Sequence, residues 1–175
     1  LDGTREFVKR NGEFTGNIAR IQGGRPVLGV VHVPVSGVSY VGRHGEGAWK
    51  VTGDGETTAI LVQAKRQRRA RVAGSRSHAG DSLKRFLERL GDHEIVSMGS
   101  SLKLCLVAEG AADIYPRLGP TSEWDTAAAQ AVVEAAGGAV TDTDLKPLRY
   151  NTKESLLNPH FLVFGDRSED WGRYL

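Results

Sequence analysis

Cysteine is nearly absent: Cys105 stands alone in 175 residues, so no intrachain disulfide can form. A reducing, cytoplasmic setting suits that usage. One cysteine and five scattered histidines give no zinc set. Cys105 lies in the apolar run Leu102–Val107 and reads as a small buried hydrophobe. No window approaches the roughly 18 apolar residues of a membrane-spanning helix. The opening residues show no charged-then-apolar leader, so no signal peptide is expected. Methionine occurs once, at Met98, and the chain opens on Leu1, so the start is expected to be a cut or processed one. Charge of one sign is also missing: 23 Lys and Arg face 21 Asp and Glu. A net charge of +2 calls for no nucleic-acid partner.

What is present suits a folded domain, with 39% hydrophobic and 25% charged residues. The strongest charge cluster is Lys65-Arg66-Gln67-Arg68-Arg69-Ala70-Arg71. No aromatics interleave with it, which argues against base stacking. It reads as a solvated connection before a strand, with an anion-attracting patch as the rarer alternative.

Glycine and β-branched residues dominate the first third. Strands are expected over Phe14–Gln22, Val27–Val33, Val38–Val41 and Ala48–Val51, joined by tight turns into an antiparallel meander. After Arg71 the rhythm becomes α/β. Short strands are expected at Arg71–Gly74, Glu94–Met98, Ala112–Tyr115, Ala139–Thr141 and Phe161–Phe164. Helices are expected at Ser82–Leu90, Ser101–Glu109 and Asp125–Ala136, each closed by glycine. The division expected is 1–70 for the meander, 71–165 for the α/β layer, and 166–175 as a peripheral tail.

Three helices have polar starts: Ser75-Arg76-Ser77-His78, Gly99-Ser100 and Thr121-Ser122-Glu123-Trp124-Asp125. Each alone is ordinary capping. Together, at the ends of strands, they suggest a phosphate-rich ligand. Asp2, in a tight turn, and Asp125, at a helix start, are two acids that would suit Mg²⁺ if they met; their spacing does not show that they do. Trp124 reads as a packing residue.

Leu1-Asp2-Gly3-Thr4-Arg5-Glu6-Phe7 resembles the second half of the Asp-Pro-(Leu/Ile)-Asp-Gly-Thr signature of the inositol monophosphatase superfamily. Trp124-Asp125-Thr126-Ala127-Ala128-Ala129, followed by Glu134-Ala135-Ala136-Gly137-Gly138, resembles its second signature, Trp-Asp-x-Ala-Ala-Gly…Glu-Ala-Gly-Gly. Phe7–Thr15, Ser75–His78, Gly99–Lys103, Leu106–Gly110, Tyr115–Arg117 and Glu154–Pro159 look like the 3'(2'),5'-bisphosphate nucleotidases of the CysQ type.

The resemblance implies an α/β fold, the αβαβα sandwich of sugar phosphatases without its N-terminal helices. It implies Mg²⁺-assisted hydrolysis with two or three ions and no covalent intermediate. The Leu1 carbonyl and the Asp2 and Asp125 carboxylates would be metal ligands, and Thr4 would orient the attacking water. The backbone of Gly3 and Thr4 would approach the substrate phosphate. Ser75, His78, Ser100, Lys103 and Arg117 would recognise substrate, with a structural role for Arg117 nearly as strong. The substrate implied is adenosine 3',5'-bisphosphate or its sulfated relative, in sulfate assimilation. Inositol monophosphatase, histidinol-phosphate phosphatase and, distantly, a non-catalytic anion-binding module are the alternatives. Peripheral membrane association stays open, as do monomer and homodimer.

Two departures stand out. Ala129 replaces a glycine, which favours the helix and alters a close approach to substrate. The family's upstream Glu and first Asp have no counterpart, so the 175 residues alone are expected to be inactive.

Overall fold

The structure is a computed structural model that describes residues 1–66, 68–74 and 80–175. Ser75 and His78 therefore lie outside the described residues, as does Gln67.

The glycine-punctuated first third forms five strands: β1 (Gly16–Gln22), β2 (Arg25–Val33), β3 (Val38–Arg43), β4 (Gly47–Val51) and β5 (Thr57–Ile60). They pair antiparallel in chain order, the expected meander with one strand more. β5 escapes a pattern search because three of its four residues are exposed, leaving no alternation to read. A short helix precedes the sheet, α1 (Thr4–Lys9), with no buried residue.

The second sheet runs β7 (His93–Ser97), β6 (Ala70–Gly74), β8 (Ile114–Arg117), β10 (Phe161–Phe164), β9 (Ala139–Asp142) in spatial order. β6 is parallel to β7 and β8, whereas β10 is antiparallel to β8 and β9. β8 does not stop at Pro116 as expected. β6 pairs with it only at Val72↔Ile114, so no N–H is required of the proline on that side. Pairing of Phe161 with Arg117 then carries the strand onward.

Three further helices complete the chain: α2 (Asp81–Leu90), α3 (Leu102–Ala108) and α4 (Glu123–Ala135). α3 and α4 lie between the sheets and α2 covers the far face of the second, giving four layers. β10 shows the division residue by residue. Phe161 and Val163 enter the core between the sheets, while Leu162 and Phe164 enter the core under α2, as period-2 geometry requires. Cys105 is buried in α3.

Close seating of α4 on the meander depends on two glycines. A Cβ at Gly29 would lie 2.0 Å from the Ala128 carbonyl oxygen, and one at Gly42 would lie 2.4 Å from the Val132 Cα. The small stripe Ala127, Ala128 and Ala131 lets the helix descend that far. Ala129 is also buried, in the core between the sheets, so its methyl is directed away from solvent.

The C-terminal residues depart from expectation. They are not peripheral: a 3-10 turn at Trp171–Tyr174 buries both aromatics, Trp171 at 0% exposure. Each has its polar atom satisfied, which is what allows burial. Trp171 Nε1 donates to the Asp166 carbonyl at 2.8 Å, and Arg66 donates to the Tyr174 hydroxyl at 2.7 Å. The Arg66 guanidinium also lies 5.8 Å from the Trp171 ring centre.

The basic cluster is largely consumed by the fold. Lys65 donates to Ser168, Arg69 pairs with Asp92 at 3.6 Å, and Arg71 pairs with buried Asp113 at 3.0 Å. Among the described residues, no helix is long and apolar enough to cross a membrane.

Gly29→Ala is expected to lower stability to urea by about 2 kcal/mol or more, because the added methyl meets helix backbone rather than a flexible side chain. A loss below about 0.5 kcal/mol would show that α4 is not seated as described.

Candidate active site

Asp2 and Asp125 reach the same cleft, of about 200 Å³, at the N-terminal end of α4. Different elements deliver them. Asp2 is clamped to Thr15 by two backbone hydrogen bonds of 2.9 Å, and Gly3 at φ 92° turns the chain from that bridge into α1. Only glycine suits that turn: the conformation is left-handed, and a Cβ would lie 3.0 Å from the Phe14 Cα. Asp125 is the third residue of α4. Its Oδ2 accepts the Ser122 N–H at 3.0 Å, closing a capping box and fixing the carboxylate at the positive end of the helix.

Asp2 responds to its neighbour. Burial, then the neighbouring Asp125 charge, raises the Asp2 pKa above the ordinary carboxylate value. Lys103 and the backbone N–H groups of Ser101 and Gly3 oppose that rise. Lys103 is only 8% exposed, and burial lowers its pKa while Asp2 counteracts the effect. Its ammonium donates to the Ser100 carbonyl at 2.9 Å and lies 5.5 Å from the Tyr115 ring centre.

Among the described residues, two donors in the cleft lack partners. Ser100 adopts φ 42°, a conformation that side-chain-bearing residues rarely take, and its buried Oγ has no hydrogen bond. Arg117 donates from one terminal nitrogen to the Pro120 carbonyl at 2.9 Å, but its buried Nε–H is unpartnered. Backbone strain together with unsatisfied donors in a cleft marks a place organised for a ligand.

The start of α4 is braced from behind. Asn158 Nδ2 donates to the Ser122 carbonyl at 2.9 Å and to Thr126 Oγ1 at 3.0 Å. Buried Glu123 accepts Lys153 at 2.6 Å and the Asn151 N–H at 3.0 Å. On the opposite wall, Thr15 Oγ1 and Ser101 Oγ are 2.8 Å apart, tying the Asp2 bridge to α3.

Five of the expected site residues line the cleft: Asp2, Ser100, Lys103, Arg117 and Asp125. Leu1 is 77% exposed and Thr4 is exposed at the start of α1; neither side chain lines it. Gly3 sits behind the wall, buried against Ser100. Arg5, Glu6, Tyr115 and Thr121 also line the cleft and were missed by sequence reasoning. Arg5 and Glu6 follow Asp2 in the same motif, and Tyr115 lies two residues before Arg117 on β8, so a same-face search would have found them. Burial raises the Tyr115 pKa to about 12. Trp124 does not pack as expected. It is 57% exposed, one turn ahead of Ala127 and Ala128, beside an open apolar hollow against β1.

Among the described residues, no group of three His, Cys, Asp or Glu gathers to hold a metal. The donor set is hard oxygen, which suits Mg²⁺ in kind, and the Asp2–Asp125 repulsion is one that a cation would relieve.

The sequence profile described as the inositol monophosphatase family matches residues 1–168. The chain belongs to that family. It is 54% identical to the 3'(2'),5'-bisphosphate nucleotidase CysQ of Shigella flexneri, over 93% of this chain and 65% of that protein. It is 53% identical to CysQ of Escherichia coli (strain K12), with the same coverage. The chain thus spans 65% of the length of these curated relatives. Its fold matches the crystal structure of CysQ from Bacteroides thetaiotaomicron with a TM-score of 0.85 at 44% identity, covering 95% of this chain and 68% of that one. The expected α/β sandwich holds, with two open five-stranded sheets among the described residues.

Lys103→Met is expected to destabilise the protein to urea by about 2 kcal/mol, since the Ser100 carbonyl loses a charged donor and Asp2 a neighbouring cation. A change within about 0.5 kcal/mol would contradict that role.

Proposed function

We propose that the protein is a Mg²⁺-dependent phosphatase that hydrolyses the 3'-phosphate of adenosine 3',5'-bisphosphate, yielding adenosine 5'-phosphate and inorganic phosphate. The observation that carries the reading is the pairing of opposite charges in one cleft: carboxylates of Asp2 and Asp125 face Lys103 and Arg117. The names of the curated relatives support the same choice.

Asp2, Asp125 and the Leu1 carbonyl would hold Mg²⁺, in a centre of two or three ions. When bound, the metal lowers the pKa of a water and neutralises charge on the leaving oxygen. The chain's own groups bind and orient. The Ser100 hydroxyl and Arg117 Nε–H are free to donate to phosphate oxygens, and Lys103 supplies a nearby charge. The capping bond at Asp125 Oδ2 fixes that carboxylate's rotation, so one oxygen is held and the other stays available. Thr4, at the head of α1, is assigned to the attacking water. Ser75 and His78 complete substrate recognition in this proposal. The reading places the protein in the cytoplasm, acting on a small nucleotide as monomer or homodimer.

The test is phosphate release by a form of the protein spanning its relatives' full length, with adenosine 3',5'-bisphosphate and inositol 1-phosphate compared. Turnover of the nucleotide should stop on chelation of Mg²⁺. Asp125→Asn should lower kcat/KM by more than about 100-fold, since even outer-shell groups of a metal centre are worth 10–100-fold. A preference of about tenfold or more for inositol phosphate, or about 1.4 kcal/mol, would replace the proposal with the inositol monophosphatase reading.

A further inference from the structure

A second cavity, of about 390 Å³, opens at the other end of α4 and shares no lining residue with the cleft. α4 has 13 residues and is therefore about 20 Å long, so an occupant here would not touch the substrate. Three nitrogen-bearing side chains reach the cavity from separate elements: Arg25 opens β2, His44 follows β3, and Arg167 follows β10. All three are exposed, and among the described residues none of these side chains has a hydrogen bond or ion pair.

Two carboxylates also line the cavity, and both are already engaged. Glu134 accepts Gln130 Nε2 at 2.8 Å. Glu169 accepts the Tyr174 hydroxyl at 2.8 Å and pairs with Arg173 at 3.1 Å and Arg66 at 3.6 Å. Glu169 is thus matched by cations outside the cavity, while Glu134, bonded among the described residues only to a neutral amide, keeps its charge and offsets one of the two arginines.

Thr141 is the independent sign of a ligand. It lies on β9, is 5% exposed, lines this cavity, and its Oγ1 has no hydrogen-bond partner among the described residues. An unpartnered buried hydroxyl is a standing penalty of about 1–3 kcal/mol. A donor of that kind in the wall of a cavity that two guanidinium groups also line is an arrangement a tetrahedral oxyanion satisfies.

We infer that this cavity is a second anion site, taking the phosphoryl group of a small metabolite or free inorganic phosphate. Arg25 and Arg167 supply the charge, His44 a ring nitrogen, and Thr141 a hydroxyl donor from the wall. The cavity has room for more than one phosphate group, which leaves space for the organic part of a phosphorylated metabolite.

Titration of the ¹⁵N-labelled protein with inorganic phosphate tests the inference. Two sets of amide signals should move with separate affinities, one at Ser100 and Ser101, the other at His44, Thr141 and Arg167. In the Arg25→Ala/Arg167→Ala variant the second set should weaken by about tenfold or more, while the first keeps its affinity. That variant should retain the wild-type urea midpoint, since neither arginine side chain has a partner among the described residues. Thr141→Val should weaken the second set as well and should raise the urea midpoint by removing the orphan hydroxyl. Movement confined to Ser100 and Ser101, or a Thr141 response that survives loss of both arginines, would overturn the inference.

Discussion

Everything at the cleft depends on how closely α4 lies on the meander. The bare Cα atoms of Gly29 and Gly42 allow helix backbone and strand backbone to meet directly, with alanines filling what space is left. That contact fixes the height of the α4 N-terminus above the sheet. The capping box then fixes the rotation of Asp125, and the Asn158 and Glu123 bonds brace the turn before it. A helix start is a favourable place for anions only when its position is set, because the field of its N–H groups fades within the first turn.

The cleft is poorly satisfied within the chain itself. Burial and the Asp125 charge raise the proton affinity of Asp2, Ser100 is held in a left-handed conformation, and, among the described residues, two donors lack acceptors. Each feature reduces stability; in the proposed reading a cation would relieve the carboxylate repulsion and a phosphate ester would accept from the two donors. The remainder of the chain compensates through ordinary packing. The core between the sheets is alanine- and valine-rich with Tyr40, Tyr115, Tyr150 and Phe161 among its members, and the core under α2 is closed by Trp171 and Tyr174. Such a division, with unfavourable interactions gathered at the site and favourable ones elsewhere, is the expected pattern for a binding centre.

Much of this was legible in the sequence where the signal is local. The meander, the helices α2 to α4 and the residues of both signatures follow from glycine spacing, apolar period and short motifs. The misses have physical reasons. α1 buries nothing and β5 is exposed at three of its four residues, so neither carries a periodic stripe. The route of β8 through Pro116 depends on where β6 leaves it, which is a property of the sheet. Trp171 and Tyr174 read as a tail because their partners, Asp166 and Arg66, are supplied by folding. The meeting of Asp2 with Asp125 came from resemblance; spacing alone left it open. The exposure of Leu1 and Thr4 could not be anticipated from the motif that contains them.

The central claim is that Asp2 and Asp125 share one cation. Paramagnetic line broadening by Mn²⁺ measures this directly even when binding is weak. The account predicts that substoichiometric Mn²⁺ broadens the backbone amides of Gly3, Ser101 and Asp125 together, and that Asp2→Asn or Asp125→Asn abolishes the broadening at all three. Broadening at only one of these segments, or broadening at Gly3 and Ser101 that survives Asp125→Asn, would contradict it.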